Sequence, residues 1–169
     1  MDTNRSDKFE ILRRLATEGT SGANINALAQ TALQMTAELV GLTAASLLLW
    51  NDKQEMVTTV TYAGSDDHRR KLQSLEEDLF ASLRKDRKLV SAYMSFGGEV
   101  PLHSFSLPLQ YLGVVNGAVI GLQEGPRTIV AEDTFLEALS AMLTLVYTAG
   151  DVTGSVDIQK TIDEARMAA

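Results

Sequence analysis

Two histidines, His68 and His103, are the only imidazoles in this chain, and it contains no cysteine. A serine or threonine nucleophile needs a base beside it, and neither histidine stands in a recognisable nucleophile motif. Gly113, Gly117 and Gly121 recur every four residues inside an apolar run rather than in a loop that opens a helix, so they form no phosphate cradle. No His-Glu-x-x-His pair occurs, and thiolate zinc sites are excluded with the cysteines. The carboxylates fall mostly on the surfaces of predicted helices. No catalytic set assembles, and the sequence reads as non-enzymatic. What remains is the chemistry of non-covalent recognition. Trp50, Thr59, Thr61, Tyr93, Phe96 and His103 are the candidate ligand contacts. The aromatics can stack on a planar ligand, while the hydroxyls and the imidazole can hydrogen-bond it. Plainer roles compete: the aromatics can anchor a loop to the core, and His103 can be an ordinary strand-edge residue.

The composition narrows the class. At 169 residues, with 45% hydrophobic and 22% charged residues, the chain suits one domain with a substantial core. A formal net charge of −7 argues against a nucleic-acid surface, which needs a basic patch. The short basic run Arg84-Lys85-Asp86-Arg87-Lys88 instead suits the C-terminal end of a helix. The N-terminus is polar, unlike a signal peptide, and the apolar runs are too short to cross a bilayer. A cytoplasmic protein with no membrane partner is the expectation.

The elements that must position the candidate contacts can be read in order. Ser6 opens a first helix with Phe9, Leu12, Leu15 and Ala16 on one stripe, broken by Gly19-Thr20-Ser21-Gly22. Asn24 or Asn26 caps a second, broadly apolar helix that ends at Gly41. Ala45–Trp50 and Met56–Tyr62 form a hairpin. On the second of these strands Thr59 and Thr61 share a face with Val57, either the floor of a small-molecule pocket or a half-solvated outer surface. A helix follows from Gly64-Ser65-Asp66-Asp67 to about Arg87. Leu89–Tyr93 reads as a short strand and Met94–Leu102 as an irregular loop. His103–Leu109 alternates polar and apolar residues, and Val114–Leu122 is apolar throughout, so these form a central hairpin turned at Leu112-Gly113. A long helix from Val130 to Ala149 is apolar nearly all round and ends at Gly150. Ser155 or Asp157 caps a last helix through about Ala168, with Ile158, Ile162 and Ala165 as its stripe.

The central hairpin also carries a resemblance. Leu107-Pro108-Leu109, a short turn, Gly117-Ala118-Val119-Ile120-Gly121-Leu122 and a helix starting near Glu132-Asp133 resemble the C-terminal half of a GAF domain. Upstream, a helix ending at Gly41, the run 44–52 and a second strand reaching Gly64 agree with it, so the likeness spans roughly residues 24–150. It implies an α+β fold. A central antiparallel sheet of about five to six strands would carry a helical layer on one face, and a helix with loops on the other. It further implies that the segment before the central hairpin lids a ligand cavity, and that helices join across a homodimer. Enzymatic relatives that reduce free methionine sulfoxide depend on cysteines, and covalently bound bilin needs a cysteine; this chain has none. The Asn-Lys-x-x-Phe-Asp-Glu signature of cyclic-nucleotide binders is missing, and neither histidine has the context of a haem ligand. The cofactor is therefore unknown.

The expected organisation is an N-terminal helix over 1–22, a GAF-like domain over 23–150, and a C-terminal linker helix or tail over 151–169. The anticipated homodimer interface comprises Phe9, Leu12, Leu15, Leu136, Leu143 and Tyr147. The uncapped Ala-Arg-Met-Ala-Ala end suggests continuation into an output domain of a longer chain. The expected function is sensory: a small molecule binds and the helices transmit the change. The alternative is a dimerisation scaffold whose cavity is filled by bulky side chains such as Trp50, Tyr62 and Phe105.

Overall fold

A computed structural model describes residues 2–19, 21, 24–51, 53, 55–86, 92–96, 101–112, 114–125 and 128–153. Its elements are α1 (Asp2–Glu18), α2 (Ile25–Val40), β1 (Ala44–Trp50), β2 (Met56–Ala63), α3 (Asp66–Asp86), β3 (Ala92–Phe96), β4 (Leu102–Tyr111), β5 (Val114–Glu124), a 3-10 turn (Ile129–Glu132) and α4 (Asp133–Thr153). The strands form one antiparallel sheet in the order β2-β1-β5-β4-β3. The two central strands, β1 and β5, are apolar almost throughout, as a strand covered on both faces must be.

Helices α1, α2 and α4 cover one face. Their buried residues join Ala45, Leu47, Val60, Phe105, Leu107, Leu109 and Val119 of the sheet in one core. Helix α3 covers the other face, where Leu72 and Leu79 meet Ala44, Leu48, Trp50, Ala118, Ile120 and Leu122. Successive residues of a strand alternate between these two cores, which is the period-2 rule applied to a sheet buried twice.

Local signals place the helices. The Asn24 side chain accepts a hydrogen bond from the Ala27 amide at the start of α2, and Gly41 ends that helix in the left-handed conformation with φ 86°. Gly117 and Gly121 have a packing role. A Cβ on Gly121 would lie 2.3 Å from Phe105 Cε1, and one on Gly117 would lie 2.6 Å from the Leu48 carbonyl oxygen. The four-residue glycine spacing therefore lets β4 and β1 side chains close over β5 on the helical-layer side.

Several expectations are corrected. Helix α1 begins at Asp2, and its buried pair is Ile11 and Leu15, with Phe9 and Ala16 exposed. It lies against both α2 and α4, so the neighbours of the helix, and not its most apolar stripe, choose the buried face. Of the strand expected at Leu89–Tyr93, Ala92 and Tyr93 lie in β3, which runs on to Phe96 because pairing with Leu102–Ser106 of β4 sets its register, and residues 89–91 lie outside the described residues. Part of the expected 94–102 loop is thus strand. Gly150 does not stop α4, which continues to Thr153; glycine lowers helix propensity by only about 1 kcal/mol. The helix expected over 155–168 lies outside the described residues.

Candidate functional site

The register divides the six candidate contacts between the two faces. Leu48 pairs with Thr59 and Ser46 with Thr61, so both threonines share the α3 face with Trp50. Tyr93 pairs with Phe105 and packs into the helical-layer core. His103 pairs with Gln123 in β5 and belongs to the same helical-layer side. Phe96 pairs with Leu102 in β3. Trp50, Thr59 and Thr61 therefore gather on one side, and Tyr93 and His103 on the other. The candidate contacts thus do not converge on one pocket, because odd and even strand positions face opposite ways.

His103 is a structural strap. Its Nδ1 lies 2.9 Å from Ser95 Oγ and its Nε2 lies 3.1 Å from the Gly125 carbonyl oxygen. The carbonyl can only accept, so Nε2 donates to it, while the serine hydroxyl can either donate to Nδ1 or accept from it. With both nitrogens committed, the ring closes β3 and the end of β5 onto β4. Beside it Gln123 donates to the Val40 carbonyl at 3.2 Å and to Thr128 Oγ1 at 2.6 Å, and accepts from the Thr128 and Ile129 amides. These buried bonds fix the turn that launches α4. Sequence reading passed over Gln123, a polar residue at the end of an apolar strand.

The α3 face is built differently. Ser46 is buried and its hydroxyl lies 3.4 Å from Thr61 Oγ1. Over these hydroxyls α3 presents Glu76. Burial pushes the Glu76 carboxyl above its ordinary value, the Ser46 hydroxyl pulls it down, and the neighbouring charge of Glu77 raises it further. Ser104 of β4, in register with Leu122, is buried on the same face. Alongside α3 runs a cleft of about 240 Å³ with Leu75, Leu102 and Leu122 as apolar lining and Lys71, Ser74 and Asp78 as polar lining. The N-terminal half of α3 is tied to the sheet by charge: Lys71 Nζ is 3.1 Å from Glu124 Oε1 and 3.2 Å from Asp67 Oδ2, and His68 Nε2 is 3.3 Å from Glu124. The Lys71 hydrogen bond holds the Glu124 carboxyl below its ordinary value.

The anticipated interface residues also separate. Leu15, Leu136 and Leu143 are 0% exposed within one chain. They are core residues and are withdrawn as dimer contacts, because α1 packs on α2 and α4, and α4 on β4, within the same chain. Leu12 is partly buried against that core. Tyr147 donates to Asn26 Oδ1 at 2.8 Å, and its hydroxyl is pushed up to about 12 by burial. Phe9, at 66% exposure, and Leu145, at 53%, are large apolar residues left on the outer surface of this layer. No group of three or more metal-ligating side chains occurs among the described residues. Among the same residues no helix is long and apolar enough to cross a membrane.

Bulky cavity-filling residues also sort by face. Of the three considered above, only Trp50 lies on the α3 side, while Tyr62 and Phe105 pack under the helical layer.

No protein-family model matches the sequence, and no curated protein matches it either. Solved structures do match. The GAF domain of an Acinetobacter phosphoenolpyruvate-protein phosphotransferase is 17% identical, with TM-score 0.59 over 88% of this chain and 96% of that one. Free methionine-R-sulfoxide reductase from Neisseria meningitidis, in complex with its substrate, is 11% identical, with TM-score 0.61 over 86% and 91%. The GAF domain of the potassium sensor histidine kinase KdpD of Escherichia coli is 18% identical, with TM-score 0.52 over 88% and 96%. At these identities the likeness is one of fold. Five antiparallel strands between a three-helix layer and a single helix, matched over nearly the whole length of these domains, give this chain the GAF-domain fold.

Proposed function

We propose that this chain is a non-enzymatic regulatory GAF module, a cytoplasmic part of a signalling protein, that takes a small molecule between α3 and the sheet. The observation that carries this reading is the way α3 is held. It rests on β1, β2 and β5, leaves a cleft towards β4, and is tethered at one end by the exposed Lys71–Glu124–Asp67 charges. Such a helix can shift at small cost, because exposed ion pairs contribute little. A ligand that seats against Leu75, Leu102 and Leu122 would favour one position of α3 over another, and only that difference in affinity can transmit a signal. The same fold in domains of a phosphotransferase and a sensor kinase supports a regulatory role. The solved sulfoxide reductase shows that the fold also hosts an enzyme; here the one serine–histidine contact described, Ser95 with buried His103, joins two strands and lies away from the α3 cleft.

Output passes through the helical layer to a second copy of the chain, with exposed Phe9 and Leu145 and half-buried Leu12 as the contact residues. Trp50, only 6% exposed within the α3-side core, favours a second reading in which this module is a dimerisation scaffold without a ligand. Native mass spectrometry of protein purified from its own host separates the two. A dimer with a defined extra mass is expected. A dimer without one, and without a thermal shift across small metabolites, selects the scaffold, and a clean monomer removes the helical output route.

A further inference from the structure

A second cleft lies on the opposite side of the sheet, independent of the α3 cleft. It measures about 660 Å³ and sits where the strands leave the cover of α2 and α4. That volume falls within the range of small-molecule sites.

Its sheet side is shaped by two β-bulges. In β1 and β2, Leu49 pairs with Thr58 but Trp50 pairs with Met56, so Val57 is an extra residue. In β4 and β5, Leu109 pairs with Gly117 but Gln110 pairs with Val115, so Asn116 is an extra residue. Leu49 itself pairs with both Thr58 and Gly117. The bulges therefore flank one residue of the central strand, and both extra residues line this cleft. A bulge re-aims a side chain that strict alternation would send to the other face, and bulges concentrate beside functional sites. Strict alternation from Ala118 would direct Asn116 towards the α3 side; the bulge turns it to the helical side.

The helical walls are joined. Asn26 at the start of α2 accepts the hydroxyl proton of Tyr147 in α4. Thr144 and Thr148 follow on the same wall as Tyr147, and Asn24 and Asn51 complete the polar lining. Among the described lining residues there is no Lys, Arg, Asp, Glu or His. The oxygens of Asn24, Asn26 and Asn51 already accept bonds within the chain and the Thr144 hydroxyl already donates one, so those carboxamides offer their NH2 donors, while Asn116 and Thr148 can both donate and accept. The Tyr147 hydroxyl, a phenol already neutral at physiological pH, is pushed up further, to about 12, by burial. A phosphate or carboxylate ligand would need a cation or an array of aimed amides, which these side chains do not provide.

We infer that this bulge-shaped cleft is a second binding site, for an uncharged small molecule that carries several hydroxyl or amide groups and one apolar face. Glycosides and nucleosides have that chemistry. Occupancy would bridge the start of α2, the end of α4 and both bulged strands, so the site reports on the helical layer and not on α3.

The test is an NMR titration of the 169-residue chain with methyl glucoside and adenosine, beside glucose 6-phosphate and AMP as charged counterparts. At least one neutral probe should move the signals of Asn26, Asn116 and Thr148 at concentrations up to about 10 mM, and its phosphorylated counterpart should bind at least about tenfold more weakly. Asn116→Leu and Thr148→Val should each abolish the shifts, while Lys71→Ala at the α3 cleft leaves them unchanged. The inference is overturned if neither neutral probe moves these signals, if charged and neutral members bind alike, or if the shifts map to Leu75, Leu102 and Leu122.

Discussion

The two faces of the sheet are covered by unequal means. On one, three helices and a row of Leu, Ile and Phe side chains bury most of the sheet; Gln123 and His103 have their hydrogen bonds supplied by the protein, whereas the buried Thr36 and Tyr93 hydroxyls find no partner among the described residues. On the other, a single helix lies over a smaller apolar cluster that includes Ser46 and Ser104, with Glu76 half-buried above. The difference separates roles. The side with the larger apolar core holds the fold, whereas a face with one tethered helix and a half-buried acid can give way to a ligand.

Core truncations test this division most directly. Leu143 and Leu72 are both 0% exposed, one beneath the helical layer and one in α3. Leu143→Ala should cost about 4 kcal/mol and Leu72→Ala nearer to about 3, since a site under one movable helix collapses more readily. Urea denaturation of the two variants checks it, and equal costs break the comparison. Next in size, Gly121→Ala should destabilise by about 2 kcal/mol, because the new methyl group meets the buried Phe105 ring and the ring has no free space to enter. Thermal unfolding of Gly121→Ala beside Phe105→Leu/Gly121→Ala sharpens the point: the double variant should recover part of the loss.

A smaller effect should appear on the α3 face. The Glu76 carboxyl is raised above its ordinary value, so the folded state holds its proton more tightly than the unfolded state. Stability from this group is fully present below the unfolded value near 4.5 and is lost as pH rises through the folded value. Glu76→Gln should therefore raise Tm at pH 7 and leave it unchanged below about pH 4. A loss at pH 7 would mean that the carboxylate is an anchor and not a strained group. The smallest effect is expected from Glu124→Gln, which removes the tether to Lys71. It should slightly speed amide exchange in the first turns of α3, at low salt more than at high salt, without altering exchange in α4.

Much of the framework is legible in the residues. The alternation of Phe105, Leu107 and Leu109, the apolar run after Asn116, Asn24 before α2 and Gly41 after it each act within a few positions, so local sequence carries them. The candidate site was less accessible. Trp50 and His103 have suitable chemistry, yet they lie on opposite faces, because pairing partners as far apart as Ala44 and Leu122 set each strand's register. Leu136 and Leu143 looked available to a partner chain, since an apolar helix does not specify which of its neighbours belong to the same molecule.

The sequence by itself determined the central apolar strands, the amphipathic helix before them with its end at Gly41, and the absence of cysteine. These follow from composition and from interactions between near neighbours. Only the tertiary structure decided that His103 and Gln123 are straps, that Gly117 and Gly121 admit side chains from adjoining strands, and that Val57 and Asn116 are turned into one cleft by paired bulges. Each depends on which backbone groups pair across the sheet, and that pairing joins segments far apart in the chain.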